Sequence, residues 1–181
     1  NIRGMELYGA EVIVINDRDP DGGFLASRFK IIDGILRSDP NAVWLNQYDN
    51  IANKNVHAAE TAKEIADQFE KVDWIFVGAG TTGTLAGISE RLGHEFPKIK
   101  IVAVEPVGSV TFGGSPGKRN IPGIGTSLRP KLADLCNPDR IVVIDEATTV
   151  ETCLSFVRDY HLLVGGSTGT VLAAVQKLAS E

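Results

Sequence analysis

The stretch VDWIFVGAGTTGT, residues 72–84, decides the fold. It begins with a short, mostly apolar run at residues 72–77, whose aromatic and β-branched residues are typical of a buried strand. Glycines and threonines follow at once, and apolar residues then recur at helical spacing from Leu85 to Leu92. A strand, a glycine-rich turn and a helix in this order are the parts of a βαβ unit. The segment therefore predicts a parallel sheet with helices packed on it.

The same alternation of patterns extends outward in both directions. Further strands are predicted at residues 11–15, 99–104, 140–144 and 162–164. Further helices are predicted at residues 23–37, 55–69, 147–160 and 168–179. The buried stripe of the helix at 55–69 is predicted at Val56, Ala59, Ala62, Ile65, Ala66 and Phe69. Strands that alternate with helices imply an α/β fold, here a three-layer αβα open parallel sheet. Because no linker or repeat interrupts residues 1–181, we expect a single α/β piece.

Composition excludes several classes of protein. A chain of 181 residues that is 43% hydrophobic can bury a core, which excludes a disordered tail. Its net charge of −5 argues against a nucleic-acid partner, and no apolar run approaches the ~20 residues of a membrane helix. Cys136 and Cys153 form no metal-like pair, so we predict no metal site and a reducing, cytoplasmic compartment. The histidines have no Ser and Asp partners at hydrolase spacing.

A glycine motif lies between the strand predicted at residues 72–77 and the helix that follows it. Residues 78–83 read GAGTTG, which matches G-x-G-x-x-G between a strand and a helix. Glu105 stands about 20 residues further on, at the end of the next predicted strand, as in a dinucleotide-binding fingerprint. One interpretation is therefore an NAD-binding oxidoreductase module.

The threonines in this loop favour a different ligand. Thr81, Thr82 and Thr84 place hydroxyl groups around the N-terminus of a helix, which suits a phosphate monoester. A second loop of this type, GGSTGT, occupies residues 165–170, and a long glycine-rich segment covers residues 108–130. Loops at the carboxyl ends of parallel strands line one crevice, so these segments are expected to converge on one ligand. The alternative is that they are tight turns capped by Ser and Thr.

Four motifs resemble one family when they are taken in order. They are GTTGT at 80–84, VAVEP at 102–106, IPGIGTS at 121–127 and GGSTGT at 165–170. The same words occur in cysteine synthase, the O-acetylserine sulfhydrylase family of fold-type II pyridoxal-phosphate enzymes, which has the tryptophan-synthase-β-like fold. The resemblance implies pyridoxal 5'-phosphate as cofactor, β-replacement on an O-activated L-serine, small amino-acid substrates and a homodimer.

Three further segments resemble a narrower branch of that family. They are GGFLASR at 22–28, WLNQYDN at 44–50 and GSVTFGG at 108–114. Members of this branch join O-phospho-L-serine to L-glutamate, on the route to 2,3-diaminopropionate and siderophores of the staphyloferrin B type. Two alternatives stay open within the resemblance. One is a cysteine synthase that uses O-acetylserine or O-phosphoserine with sulfide, and the other is a catalytically inactive partner with the same fold.

The resemblance also implies roles for individual residues. The loop that holds the cofactor phosphate matches Gly80, Thr81, Thr82, Gly83 and Thr84. Ser167 matches the serine that binds the pyridine nitrogen, and Gly123 lies in the segment that moves beside the cofactor when substrate binds. The resemblance to the narrower branch implies that Arg28 and Tyr48 bind substrate. The guanidinium of Arg28 would bind a carboxylate or a phosphate of the substrate. The alternatives are a solvated charge for Arg28 and an interfacial aromatic for Tyr48.

The resemblance predicts a catalytic lysine that the sequence does not contain. The family's Schiff-base lysine precedes an Asp-Arg pair in a Ser- and Gly-rich segment, and no lysine here has that context. The chain opens on Asn1 without an initiator Met, so we expect this lysine upstream of Asn1 and assign no catalytic residue within residues 1–181. The chain is then an inner piece of a longer enzyme, expected to be inactive by itself. Lys118 and Arg119 are interpreted either as an attraction for anionic substrate or as ordinary surface charges.

Overall fold

A computed structural model describes residues 1–20 and 23–180 of the chain. The chain divides into two compact units, Asn1–Trp44 and Leu45–Glu181. That residues 1–181 act as a single α/β piece therefore stays a prediction. Gly22, the first residue of the GGFLASR motif, lies outside the described residues. No helix in the described part of the chain has the length and apolar character needed to cross a membrane.

The N-terminal unit contains two helices, α1 at Ile2–Leu7 and α2 at Leu25–Ser38. Helix α2 confirms the helix predicted at residues 23–37. The carboxylate of Asp19 accepts hydrogen bonds from Ala26 N (2.8 Å) and from Ser27 N and Oγ (2.8 and 2.7 Å). Asp19 thereby satisfies N–H groups that the first turn of α2 leaves without a helical partner. The hydrogen bond from the Ser27 hydroxyl lowers the pKa of Asp19 below its ordinary value.

The strand predicted at residues 11–15 is absent. These residues have irregular backbone, and Ile13 and Val14 are exposed. The β-branched run has the local propensity of a strand, but a strand also needs a neighbour to satisfy its backbone groups. Among the described residues, 11–15 have no such neighbour.

The C-terminal unit is built on a parallel sheet. Its strands are β1 at Trp74–Gly78, β2 at Lys100–Pro106 and β3 at Arg140–Ile144, in the spatial order β1-β2-β3 among the described residues. Trp74 pairs with Lys100 at one ladder, and Val102 pairs with Arg140 at the other. The strands predicted at 72–77, 99–104 and 140–144 are thus confirmed within two residues. Their carboxyl ends lie at the same edge of the sheet.

Helices cover both faces of this sheet. They are α3 at Ile51–Val56, α4 at Ala62–Gln68, α5 at Gly83–Glu95, α6 at Glu146–Tyr160 and α7 at Gly166–Ala179. Alternate residues of β2 enter two separate cores because successive side chains of a strand point to opposite faces. One core contains Ile101 and Ala103 of β2 together with Ala62, Leu85, Ile88 and Leu92. The other contains Val102 and Val104 together with Val142, Ile144, Ala173 and Ala174. The three-layer αβα arrangement is therefore confirmed.

The helix predicted at 55–69 is longer and less regular than its pattern indicated. It consists of α3, a π-helical turn at His57–Thr61, in which Ala62 N bonds to His57 O, and α4. A π turn contains one residue more than an α turn, so it shifts which side chains face inward. Val56, Ala59 and Phe69 of the predicted stripe are exposed, and Phe69 lies beyond the end of α4 in extended backbone. The inward face carries Asn53, Lys54, His57, Ala58, Thr61, Ala62, Ile65 and Ala66.

The connection between α6 and α7 also differs from the prediction. Residues 162–164 were predicted as a strand, but they form a connection in which Leu163 is 91% exposed. Helix α6 ends at His161, whose left-handed backbone (φ 56°) turns the chain. No strand of the described residues pairs with this segment. The segment 108–130 has neither helix nor strand, as predicted, and is followed by a 3₁₀ turn at Lys131–Leu135.

Candidate functional site

A cavity of about 360 Å³ opens at the carboxyl ends of β1 and β2, within the C-terminal unit. It is lined by Gln47, Tyr48, Gly78, Gly80, Thr81, Thr82, Thr84, Gly123, Ile124 and Gly125. The structure thus brings together the predicted phosphate loop, the predicted substrate residue Tyr48 and the mobile-segment residue Gly123. None of the described residues that line the cavity carries a charge. The donors that this part of the chain offers to an anion in the cavity are therefore neutral.

The start of α5 supplies such donors. Thr82, at the N-cap, has a left-handed backbone (φ 68°), and its side chain makes no capping bond. Its hydroxyl donates instead to the carbonyl oxygen of Thr81 (2.6 Å). The first N–H groups of a helix have no acceptor within the helix, and they carry the positive end of its dipole. The first turn of α5 therefore presents N–H groups, together with Thr hydroxyls, to the cavity.

Gly83 differs from its neighbours in the loop because it does not line the cavity. A Cβ atom at this position would lie 2.3 Å from Oδ1 of Asn53. Gly83 thus allows α3 to pack directly against the first turn of α5. Gly80, by contrast, faces open space, since a Cβ there would meet only Gly123 O at 4.0 Å.

Polar side chains from the helical segment 51–61 lie behind this loop. Asn53 donates through Nδ2 to Gln47 O (2.7 Å) and to Thr81 Oγ1 (3.2 Å). His57 is within hydrogen-bond distance of Thr84 Oγ1 through Nε2 (3.0 Å) and of Thr61 Oγ1 through Nδ1 (2.9 Å). No role is predicted for these residues from the sequence. The signal that could have found them is a line of polar residues, Asn53, His57 and Thr61, at four-residue spacing in a helix.

The segment 121–127 closes another side of the cavity. Gly125 N donates to Ala79 O (2.7 Å), and Ala79 N donates to Val104 O (2.8 Å), so the segment is bound to the ends of β1 and β2. Gly125 has a positive φ of 74°, and a Cβ there would lie 2.7 Å from Pro106 Cγ. Only glycine fits this position. Gly123, with φ 85°, has the same left-handed backbone.

Ser167 lies in the first turn of α7, next to this segment. It is half-buried and does not line the cavity, but its Oγ is 3.9 Å from the position that a Cβ would take on Gly123. A Cβ on Gly166 would lie 2.5 Å from Ile121 Cγ2, so α7 begins in close contact with the segment. The GGSTGT loop and the 121–127 loop therefore converge, as predicted for loops at one edge of a parallel sheet.

Glu105 does not line the cavity. It is 2% exposed at the end of β2, and its Oε2 has no hydrogen-bond partner. Burial raises the pKa of its carboxyl group, and hydrogen bonds from the Ser109 side chain and from Phe112 and Thr111 N oppose the rise. Its contacts thus connect β2 to the segment 109–112 rather than to the cavity.

The predicted basic residues have different surroundings. Arg28 lies on α2 in the N-terminal unit and is exposed. Arg119 donates through Nη1 to Gly108 O, which gives it a structural contact within the long segment. Lys118 is exposed. Within the described residues, no group of three or more His, Cys, Asp or Glu side chains is placed to hold a metal ion.

Comparison with known families shows what the whole chain is related to. The family model described as "Pyridoxal-phosphate dependent enzyme" matches residues 1–181. The chain belongs to this family. The cofactor predicted from the sequence, pyridoxal 5'-phosphate, is therefore confirmed, and so is the resemblance on which that prediction rested.

Two curated relatives carry the same name. N-(2-amino-2-carboxyethyl)-L-glutamate synthase of Ralstonia nicotianae is 36% identical over 179 residues, which are 98% of this chain and 53% of that protein. The synthase of this name from Cupriavidus metallidurans is 34% identical, over 98% of this chain and 52% of that protein. The chain thus spans about half the length of the curated relatives it matches.

Solved structures of the family have the same fold. The O-acetylserine dependent cystathionine beta-synthase of Helicobacter pylori matches with a TM-score of 0.86 and 28% identity, over 99% of this chain and 57% of that one. An O-ureido-L-serine synthase matches with a TM-score of 0.82 and 26% identity, over 99% and 56% of the two chains. The α/β, fold-type II assignment is therefore confirmed.

The residues of the cavity fit the phosphate end of this cofactor. A phosphate monoester carries up to two negative charges and three acceptor oxygens. The uncapped first turn of α5 provides N–H donors and a positive dipole end, and the hydroxyls of Thr81 and Thr84 can add donors, with no basic side chain among the described residues of the lining. No lysine lines the cavity among the described residues.

Proposed function

We propose that the protein to which this chain belongs is a synthase that replaces the β-substituent of an O-activated L-serine with the aid of pyridoxal phosphate. Its substrates in this proposal are O-phospho-L-serine and L-glutamate, and its product is N-(2-amino-2-carboxyethyl)-L-glutamate. The observation that carries the proposal is the uncharged cavity at the start of α5, which also includes Tyr48 and Gly123. The names of the two curated relatives support the choice of substrates.

The reaction exchanges one bond at the β-carbon. The Cβ–O bond to the phosphate breaks, and a bond forms between Cβ and the amino nitrogen of glutamate. The α-proton leaves and later returns, while inorganic phosphate and one proton of the attacking amine are released. When bound, the cofactor supplies the electron sink that makes the α-proton acidic.

In this proposal the chain's own residues hold the cofactor at both ends. Gly80, Thr81, Thr82, Gly83 and Thr84 bind the phosphate through hydroxyls and helix N–H groups. Ser167 binds the pyridine nitrogen. Its hydroxyl is neutral and stabilises no positive charge on that nitrogen, so the ring is a moderate electron sink, sufficient for loss of the α-proton and of the β-leaving group.

The substrate-binding residues in this proposal are Tyr48, Gly123 and Arg28. Tyr48 lines the cavity and offers a hydroxyl that can both donate and accept a hydrogen bond. Gly123, in the segment bound to Ala79, supplies backbone close to the reacting amino acid. Arg28 offers two parallel donors to a carboxylate or a phosphate of the substrate. The lysine that bonds to the cofactor and carries the α-proton lies, in this proposal, outside residues 1–181.

The proposal extends to the setting of the enzyme. We assign it to cytoplasmic amino-acid biosynthesis that supplies 2,3-diaminopropionate for a siderophore. We expect it to act as a homodimer on small amino acids, without nucleic-acid or membrane partners. The family resemblance and the relatives' names support this assignment.

The proposal is tested with the full-length protein, O-phospho-L-serine and L-glutamate. We expect release of inorganic phosphate and a product with the mass of N-(2-amino-2-carboxyethyl)-L-glutamate. Parallel reactions replace glutamate with sulfide and O-phosphoserine with O-acetylserine. The reaction with O-acetylserine is included because one solved relative is described as O-acetylserine dependent. Cysteine formation that outpaces glutamate addition would contradict the assigned nucleophile, and a protein that binds no pyridoxal phosphate would contradict the whole proposal.

A further inference from the structure

Three side chains form a hydrogen-bonded line that ends at the cavity. Thr61 Oγ1 lies 2.9 Å from His57 Nδ1, and His57 Nε2 lies 3.0 Å from Thr84 Oγ1. All three side chains are half-buried, and only Thr84 lines the cavity. The imidazole thus connects a threonine in the packed interior to a threonine of the phosphate loop.

The backbone of two elements produces this line. The π-helical turn at His57–Thr61 places both polar residues on the inward face of its helix. On α5, a Cβ at Gly87 would lie 2.5 Å from Lys54 O, 2.6 Å from Ala58 N and 2.8 Å from His57 Cβ. Because Gly87 has no side chain, His57 comes close enough to bond with Thr84, one turn earlier on α5. Single π turns are frequent at functional sites.

Proton counting restricts how the line can be arranged. A threonine hydroxyl has one proton, and a neutral imidazole has one N–H and one lone pair. If Nε2 carries the proton, it donates to Thr84, and the Thr61 hydroxyl donates to Nδ1. The Thr84 proton is then free to point into the cavity. If Nδ1 carries the proton, the Thr84 hydroxyl must donate to Nε2, and it presents only lone pairs to the cavity.

A phosphate selects between these two arrangements. Its oxygens accept hydrogen bonds and repel lone pairs, and no described residue that lines the cavity has a basic side chain that would compensate. We infer that His57 is a positioning residue for the cofactor phosphate, because its Nε2–H holds the Thr84 hydroxyl with the proton directed at the phosphate, while its Nδ1 accepts a hydrogen bond from the Thr61 hydroxyl. The inference rests on the proposed function, which puts the phosphate at the start of α5. A doubly protonated His57 would still donate to Thr84. The inference therefore excludes one state, the neutral ring that has its proton on Nδ1 and none on Nε2.

Two substitutions of similar polarity separate positioning from simple packing. Gln places its amide N–H₂ near the position of Nε2, whereas Asn places its amide near that of Nδ1. In the full-length protein, we expect H57N to weaken the binding of pyridoxal phosphate about tenfold, the effect of one lost hydrogen bond to a charged group. We expect H57Q to remain within about threefold of the wild type. Equal affinities for H57N and the wild type would overturn the inference.

A control ligand links the effect to the phosphate. Pyridoxal lacks the phosphate, so its affinity should be the same in the wild type, H57N and H57Q. A loss of pyridoxal affinity as large as that of pyridoxal phosphate would indicate a general disturbance of the fold and overturn the inference. In a T84V background, H57N should have no further effect on pyridoxal phosphate, since His57 acts through Thr84.

The tautomer itself is measured in the unmutated enzyme, which avoids any effect on folding. The ¹⁵N signals of labelled His57, assigned by their loss in H57Q, should show a protonated Nε2 when pyridoxal phosphate is bound. A neutral ring with its proton on Nδ1 would overturn the inference. Failure of the wild type to bind the cofactor would instead contradict the proposed function, so the two failures are distinguishable.

Discussion

Glu105 is a buried carboxyl group at the end of β2, and one of its oxygens has no hydrogen-bond partner. Burial raises its pKa above the ordinary value of 4.5 in spite of hydrogen bonds from Ser109, Phe112 and Thr111. The folded state therefore binds the proton more tightly than the unfolded state does. Ionisation of Glu105 lowers the stability of the fold as the pH rises from 4.5 through the raised pKa.

We predict that E105Q removes this loss of stability. The amide keeps an oxygen for the three donors and places its N–H₂ at the position of the unpartnered Oε2. The variant's free energy of unfolding minus that of the wild type should therefore be larger at pH 8 than at pH 5. Denaturant titrations at the two pH values measure it.

Glu146 provides a control of opposite sign. Its carboxylate accepts hydrogen bonds from Ile121 N (2.8 Å) and from Asn120, and the bond from Ile121 is the main reason that its pKa is lowered. Its ionised form stabilises the fold above pH 4.5, and this contribution is lost as the pH falls through the lowered pKa. E146Q should be less stable than the wild type at pH 8, with a smaller difference at low pH. The same trend with pH in both variants would contradict this account of Glu105.

At the residue scale, the sequence predicted residues that line the cavity but not the residues packed behind them. Gly80, Thr81, Thr82, Thr84, Tyr48 and Gly123 were all named, and all line one cavity. Most of these residues belong to glycine- and threonine-rich loops that follow predicted strands, and such loops can be recognised in the sequence as binding loops. Asn53, His57 and Thr61 were missed because their partners are 27 or 28 residues away in sequence or lie across a π turn, which no α-helical period describes.

At the scale of elements, the contact between α5 and the segment 51–61 depends on Gly87. A Cβ at this position would overlap backbone atoms of Lys54 and Ala58, which cannot move without displacing their helix. Gly93, on the same helix, has open space around its Cβ position. The two glycines therefore allow a matched comparison.

We predict opposite effects for alanine at the two positions. G87A should destabilise the fold by about 1–3 kcal/mol, the usual cost of overpacking. G93A should stabilise it by about 0.5–1 kcal/mol, because alanine has the higher helix propensity. Chemical denaturation of the full-length protein measures both. A neutral G87A would contradict the close contact between the two helices.

The elements that were predicted wrongly have a common cause. Residues 11–15 and 162–164 are apolar and β-branched or leucine-rich, so their composition favours strands. A strand exists only with a neighbour, and neither segment has one among the described residues. The strands β1, β2 and β3 were predicted correctly because each is an apolar run bounded by turns or helices, and each also has a neighbouring strand in the sheet. Whether a segment pairs with another strand depends on the whole sheet, and the composition of that segment alone does not predict it.

At the scale of the whole molecule, one edge of the sheet organises the site. The loops after β1 and β2, the segment 121–127 and the start of α7 meet there, although they are far apart in sequence. Parallel strands joined by helices dictate this convergence, so it was predictable from the alternation of patterns alone. That no described residue of the cavity lining is charged was visible only in the structure.

In the function we propose, the start of α5 holds the phosphate of pyridoxal 5'-phosphate through neutral donors. The most direct test is a crystal structure of the full-length protein with this cofactor. We predict phosphate oxygens within about 3 Å of N–H groups in the first turn of α5 and of the Thr84 hydroxyl. A phosphate bound by basic side chains elsewhere, with the start of α5 in contact with water alone, would contradict the account.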